Sequence, residues 1–308
     1  MHGFHARAIA QSDGEDRDVT RPDERPDRAG RGARGTRGGG HGRVTAPRPG
    51  SDRPRADRKP RPIEPPLPED VTGRELDRSV RDELSSLARI NADIVARHLV
   101  MAGRLVDEDP ELAYEHARAA QARAGRVGAV REAAGLAAYA TGRFAEALSE
   151  LRAARRITGD DTLLPVLADC ERGLGRPERA LALAASPELA GLDAGVRIEM
   201  LIVASGARRD LGQHEAAVQA LRGPQLKPSA RRPWSARLFY AYADALLGAG
   251  RVDEAIEWFG HAADADDLGQ TDAGERLAEL QGITFSADAD DEADEAEVTE
   301  GLDPPLTD

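Results

Sequence analysis

Thr141-Gly142-Arg143-Phe144-Ala145-Glu146-Ala147-Leu148 decides how this chain is read. A glycine closes one apolar-periodic run, and a small alanine and an aliphatic residue follow five and six places later, the pattern of a helix end, a tight turn and a new helix. The pattern returns as Gly175-Arg176-Pro177-Glu178-Arg179-Ala180-Leu181 and as Gly212-Gln213-His214-Glu215-Ala216-Ala217-Val218. It is clearest in Gly250-Arg251-Val252-Asp253-Glu254-Ala255-Ile256. The four turn glycines are separated by 33, 37 and 38 residues. Self-similarity at this period, with two helices per unit, is the mark of an all-α solenoid of helical hairpins.

Composition agrees with that reading. Aromatic residues make up 4% of the 308 positions and charged residues 31%, which suits helices packed through small side chains better than an aromatic-rich β core. A single cysteine, Cys170, excludes an internal disulfide framework and fits a reducing compartment. Met1 to Ala10 lacks the apolar core of a secretory signal, and no window approaches the roughly 18 apolar residues of a membrane span, so a cytoplasmic location without membrane contact is expected.

The net charge of −13 is unevenly spread. Residues 1–68 hold 15 Lys and Arg against 10 Asp and Glu, residues 286–308 hold ten acids and no base, and 69–285 carry the remaining −8. With few aliphatic residues to bury, 1–68 are expected to form a disordered Arg/Gly/Pro-rich arm, ending in a stiff Pro60–Pro68 linker. Within the arm, Arg31 to Arg43 looks like an arginine–glycine RNA-contacting segment without the aromatic residues that stack on bases. The self-repelling run Asp288 to Glu297 predicts a disordered acidic tail.

Between the tails, order is expected from about Thr72. Leu76, Val80, Leu84, Leu87, Ile90, Ile94 and Val95 recur at helical steps, predicting a helix to about Leu105 with a break near Ala88. Asp109-Pro110-Glu111 reads as the start of the next, and Gly125 as its end. Pro187 and Pro224 predict early stops for two second helices, and Thr271 to Leu280 a capping helix. Trp258 and Phe259 are adjacent on one helix, so one must leave the pair core; Trp258 is expected against the capping helix.

The block from about 88 to 265 resembles the tetratricopeptide repeat family. In that frame Gly135, Ala147 and Ala154 fall at small positions and Leu151 at the large one between them. Gly250 gives Ala243, Ala255, Phe259 and Ala262 in the same roles. The resemblance implies five hairpins with a concave groove lined by each first helix, a surface that family members use to bind peptides. Carried over position by position, the groove includes Glu132, Leu136 and Tyr139, then Asp169 and Arg172, then Arg209, and finally Arg237, Tyr240 and Asp244. This is not the lysine- and asparagine-rich clamp that holds a terminal carboxylate.

Chemistry-bearing patterns are missing. No histidine pair has a metal-ligand spacing, no glycine loop ends in a phosphate-binding lysine, and no serine stands at a nucleophile elbow. Asp160 and Asp161 read as helix caps, and His214 as packing the turn. No cofactor, metal or catalytic residue is expected. The leading expectation is a non-catalytic scaffold for a protein or peptide partner. The alternative is an RNA- or ribosome-associated protein whose arm makes weak nucleic-acid contact.

Overall fold

The computed structural model describes residues 64–229 and 231–283. Expectations for Arg31–Arg43 and Asp288–Glu297 lie outside these residues. Among the described residues there are twelve α-helices and no strand. A short helix, α1 (Arg78–Leu84), precedes five hairpins: α2 (Arg89–Leu105) with α3 (Pro110–Ala124), α4 (Gly128–Ala140) with α5 (Phe144–Thr158), α6 (Leu164–Gly173) with α7 (Pro177–Ala184), α8 (Ala194–Asp210) with α9 (His214–Leu221), and α10 (Ser235–Gly248) with α11 (Val252–Ala265). Helix α12 (Ala273–Leu280) packs on α11. Each hairpin packs on the next, and first helices α6, α8 and α10 touch in succession, so the core runs along the stack.

Four turns are built alike. Gly142, Gly175, Gly212 and Gly250 have φ of 72°, 69°, 71° and 76°, left-handed values that a side chain would strain. At the first, the Gly142 amide donates to the Tyr139 carbonyl (2.9 Å) and the Arg143 amide to that of Ala138 (2.8 Å). The same two bonds recur at the other three turns. This Schellman arrangement uses up orphan carbonyls at the end of one helix and sets the next helix off at a fixed angle. The turn between α2 and α3 has no glycine; there the Asp109 carboxylate accepts the Leu112 amide at 3.1 Å, ahead of Pro110.

The small positions explain the close approach within hairpins. Ala147, Leu151, Ala154, Ala243, Ala255, Phe259 and Ala262 have no exposed surface. A Cβ on Gly135 would lie 2.6 Å from Leu151 Cγ and 3.1 Å from its backbone nitrogen, so α4 and α5 touch where only glycine fits. Helices α7 and α9 stop at eight residues each, and Pro187 then opens a single 3₁₀ turn (Pro187–Gly191).

Side chains of the turns also join neighbours. Arg143 pairs with Glu111 and lies over the Tyr114 ring, both in the preceding hairpin. Phe144 faces forward, filling the space beside Gly173, where a Cβ would come within 2.5 Å of its ring. His214 takes the equivalent place beside Gly248. The Phe144 and His214 side chains thus reach into the next unit.

Several expectations need correction. The expected break near Ala88 falls between Leu84 and Arg89, but Ile90, placed on the apolar stripe, is 78% exposed. Trp258 lies edge-on to Phe239 (5.4 Å) and Tyr242 (4.9 Å) of its own hairpin, and belongs to the same core cluster as Leu277 and Leu280 of α12. Asp160 accepts the Thr162 amide, but Asp161 holds Arg155 instead of capping. Glu64 to Pro68, part of the stretch read as a linker, lie on the first hairpin: Arg123 pairs with Glu64 (2.6 Å) and Arg97 donates to the Pro68 carbonyl (2.7 Å).

Candidate functional site

Counting back from a turn glycine, the residues three, six and ten places earlier share one helix face. These positions hold Tyr139, Leu136 and Glu132 on α4, and Arg172, Asp169 and Pro165 on α6. They hold Arg209, Gly206 and Ile202 on α8, and Leu247, Asp244 and Tyr240 on α10.

A rule connects successive units. The side chain three places before a turn reaches the residue six places before the next. Tyr139 donates to Asp169 at 2.5 Å, and Arg209 pairs with Asp244. At the middle junction the facing residue is Gly206, so no carboxylate is present. Arg172 lies across Gly206, where a Cβ would meet its guanidinium at 2.9 Å, and continues to Asp210 at 2.6 Å while also holding Asp169 at 2.6 Å. Thirteen places before their turns, Glu199 and Arg237 form a further inter-unit pair. Apart from Glu132, the charged side chains named here act as stitches, within or between hairpins.

These residues surround a cavity of about 540 Å³. Tyr139, Asp169, Arg172, Arg237, Tyr240 and Asp244 line it, with Glu199, Ile202 and Val203 from α8. Pro165 and Val166 add an apolar strip, and the segment 269–272 together with Glu275 closes one side. Burial raises the Tyr139 and Tyr240 phenols above the usual range, helped by the hydrogen-bonded carboxylates of Asp169 and Asp272. Burial lowers Arg237 to about 10, which leaves it charged at neutral pH. Cleft and charge suit recognition of a polar ligand; the volume falls within the range of about 300–1,000 Å³ of ligand-sized clefts.

Three residues placed in the groove by the sequence frame do not line this cavity. Arg209 pairs with Asp244, which lines the cavity, but does not line it itself. Glu132 is half-buried near Asp160 and Glu83, where burial first and those two charges second raise its carboxyl to about 7. Leu136 is buried in the core. Sequence reading missed Glu199, Asp210, Asp272 and Glu275. Glu199 had a visible signal, since it stands at the same distance before its turn as Arg237. The closing segment 269–275 had none, because it follows the last repeat and has no sister copy.

Cys170 is buried and its thiol is pushed up to about 12, so it is no ready nucleophile. Among the described residues no group of three or more His, Cys, Asp or Glu could hold a metal ion. A second titratable cluster sits in the first hairpin. His98 and His116, both 1% exposed, face each other with Nδ1 atoms 3.0 Å apart, and Glu64 lies 3.8 Å from His98 Nε2. Burial, with a smaller contribution from His98, lowers His116 to about 4.

The class these observations define is an all-α stack of helical hairpins. No protein-family model and no curated protein sequence matches the chain. A solved Pseudomonas aeruginosa structure described as "Functional Characterization of Pseudomonas Aeruginosa pilF" is similar at 16% identity and a TM-score of 0.41, covering 63% of this chain and 87% of that one. Among the described residues, no helix is long and apolar enough to cross a membrane.

Proposed function

We propose that this chain is a non-catalytic, cytoplasmic scaffold of the tetratricopeptide repeat type, and that it holds a protein partner at the cavity on its inner face. One observation carries the reading: first helices of four successive hairpins converge on a single ligand-sized cavity with aromatic, charged and apolar walls. Peptide recognition needs such a mixture, with apolar area for affinity and fixed polar groups for register. The α4, α6, α8 and α10 walls are held by inter-unit pairs, so the site is preorganised.

The test is affinity capture with the full chain as bait, comparing wild type with Ile202→Arg, which fills the cavity from a half-buried wall position. A discrete protein retained by wild type and lost by a variant of unchanged melting temperature is the expected result. Equal retention by both would refute the proposed site. Capture that collapses between low and moderate salt and is abolished by ribonuclease would instead favour the nucleic-acid alternative.

A further inference from the structure

Once the stitches are assigned, two carboxylates at the cavity remain without a cation. Asp169, Glu199 and Asp244 each face a guanidinium. Asp272 accepts the Tyr240 hydroxyl and Glu275 is exposed, and neither is ion-paired among the described residues. The lining as a whole carries five carboxylates against two guanidiniums. Tyr240 contacts Asp272, and the apolar side chains of Ile202 and Val203 line the same cavity. Carboxylates, an aromatic ring and an aliphatic wall together suit one kind of group, a guanidinium on a hydrocarbon stem.

The chain contains a segment of that chemistry. Residues 28–51 hold six arginines and no Asp or Glu, and Arg31, Arg34 and Arg37 each have a glycine neighbour. We propose that this segment docks into the cavity of its own chain, seating an arginine side chain against Asp272, Glu275 and Tyr240. The proposal rests on the reading of the cavity as the binding site, and it makes the arm an internal competitor of the partner.

Charge and reach both favour this occupant. The segment lies outside the described residues, but its tether is anchored: Glu64 is held by Arg123 on α3, which packs against α4, one wall of the cavity. The thirteen residue steps from Ser51 to Glu64 span up to roughly 45 Å when extended. Neighbouring helices are about 8–10 Å apart, so that length crosses the layers between α3 and α12. Glycine neighbours leave little bulk beside each arginine. Tethering also holds the segment at an effective concentration in the millimolar range, where weak ion pairs suffice.

Photocrosslinking in the full chain tests this. A benzoylphenylalanine placed at Thr36 should crosslink, within one molecule, to peptides containing Ile202–Val203 or residues 269–275. Mixing with isotope-labelled chains identifies crosslinks between copies. The yield should fall about fivefold in an Asp272→Asn/Glu275→Gln variant, because two exposed pairs of modest strength are lost. Glu275→Gln alone, at an exposed position that leaves the fold untouched, should give a smaller drop. Crosslinks that map to 286–308, that join separate copies, or that persist undiminished in the double variant would overturn the proposal. No partner is needed, so an arm that crosslinks to the cavity in a chain that captures nothing would separate this inference from the scaffold reading.

Discussion

Two helical glycines should respond in opposite directions to the same substitution. In an open helix interior, Gly→Ala stabilises by about 0.8–1 kcal/mol because the unfolded chain loses freedom and the helix gains propensity. Gly260, on α11, has nothing within 4 Å of the point where a Cβ would stand, so Gly260→Ala should gain about 1 kcal/mol. Gly135 is the reverse case. Its new methyl would lie 2.6 and 2.7 Å from Leu151 Cγ and Cδ2, and the 3.1 Å approach to Leu151 nitrogen means α5 itself must yield. Overpacking of this kind costs about 1–3 kcal/mol, which outweighs the propensity gain and leaves a net loss of about 1 kcal/mol. For a domain of this size that is roughly 2–4 °C in melting temperature, downward for Gly135→Ala and upward for Gly260→Ala, followed by far-UV circular dichroism. Adding Leu151→Val to Gly135→Ala should cost less than the two changes summed, since the shortened side chain vacates the contested volume. A Gly135→Ala variant that melts higher than wild type would show that α4 and α5 do not meet at this position.

Other consequences can be measured separately. Glu132 has a native pKa of about 7, above its unfolded value, so its contribution to stability is complete below about pH 4.3 and is lost as pH rises through 7. Glu132→Gln should therefore stabilise the chain by about 1–2 kcal/mol at pH 8 and scarcely at all at pH 4, seen in urea midpoints at the two pH values. His116 works in the acid direction: its native pKa of about 4 lies below the unfolded value, so stability falls as pH drops from about 6.5 to 4. Replacing it, as His116→Leu, should lessen that acid loss by about 1–3 kcal/mol, whatever it does to stability at pH 8. At the last junction, a double-mutant cycle of Arg209→Met and Asp244→Leu should return a coupling of about 1 kcal/mol; a value near zero would remove the stitch from the energetics. Finally, Ala147→Leu or Ala255→Leu, each at a site with no exposed surface, should lower stability by about 1–3 kcal/mol in thermal melts.

What could be read from the sequence is what the chain must solve locally. Gly142, Gly175, Gly212 and Gly250 end helices for a reason contained within a few residues of each, a left-handed backbone that satisfies two carbonyls. Gly135, Ala147 and Leu151 were legible because hairpin partners are close in sequence. Pairings between units were not. Whether Arg172 meets a carboxylate six places before the next turn, or passes over Gly206 to Asp210, depends on the registry of two helices separated by a whole second helix and a loop. Glu132 fell outside the cavity for a similar reason: Glu83 on α1 also accepts the Ala129 amide at 3.0 Å, bringing α1 against the start of α4. Nothing in the repeat pattern announces that contact. Ile90 was misplaced because apolar periodicity identifies a face without saying which neighbour covers it.

The two eight-residue helices α7 and α9 have a consequence for how the stack comes apart. In a linear array each unit is held only by its neighbours, and cooperativity passes through whichever layer has least to share. Helices α5 and α11, at 15 and 14 residues, offer nearly twice the length. The third and fourth hairpins are then the place where opening should begin, dividing the array into two fragments whose amides exchange at different rates. The cavity wall supplied by α6 and α8 belongs to that region. The surface offered for recognition would then lie in the region expected to open first.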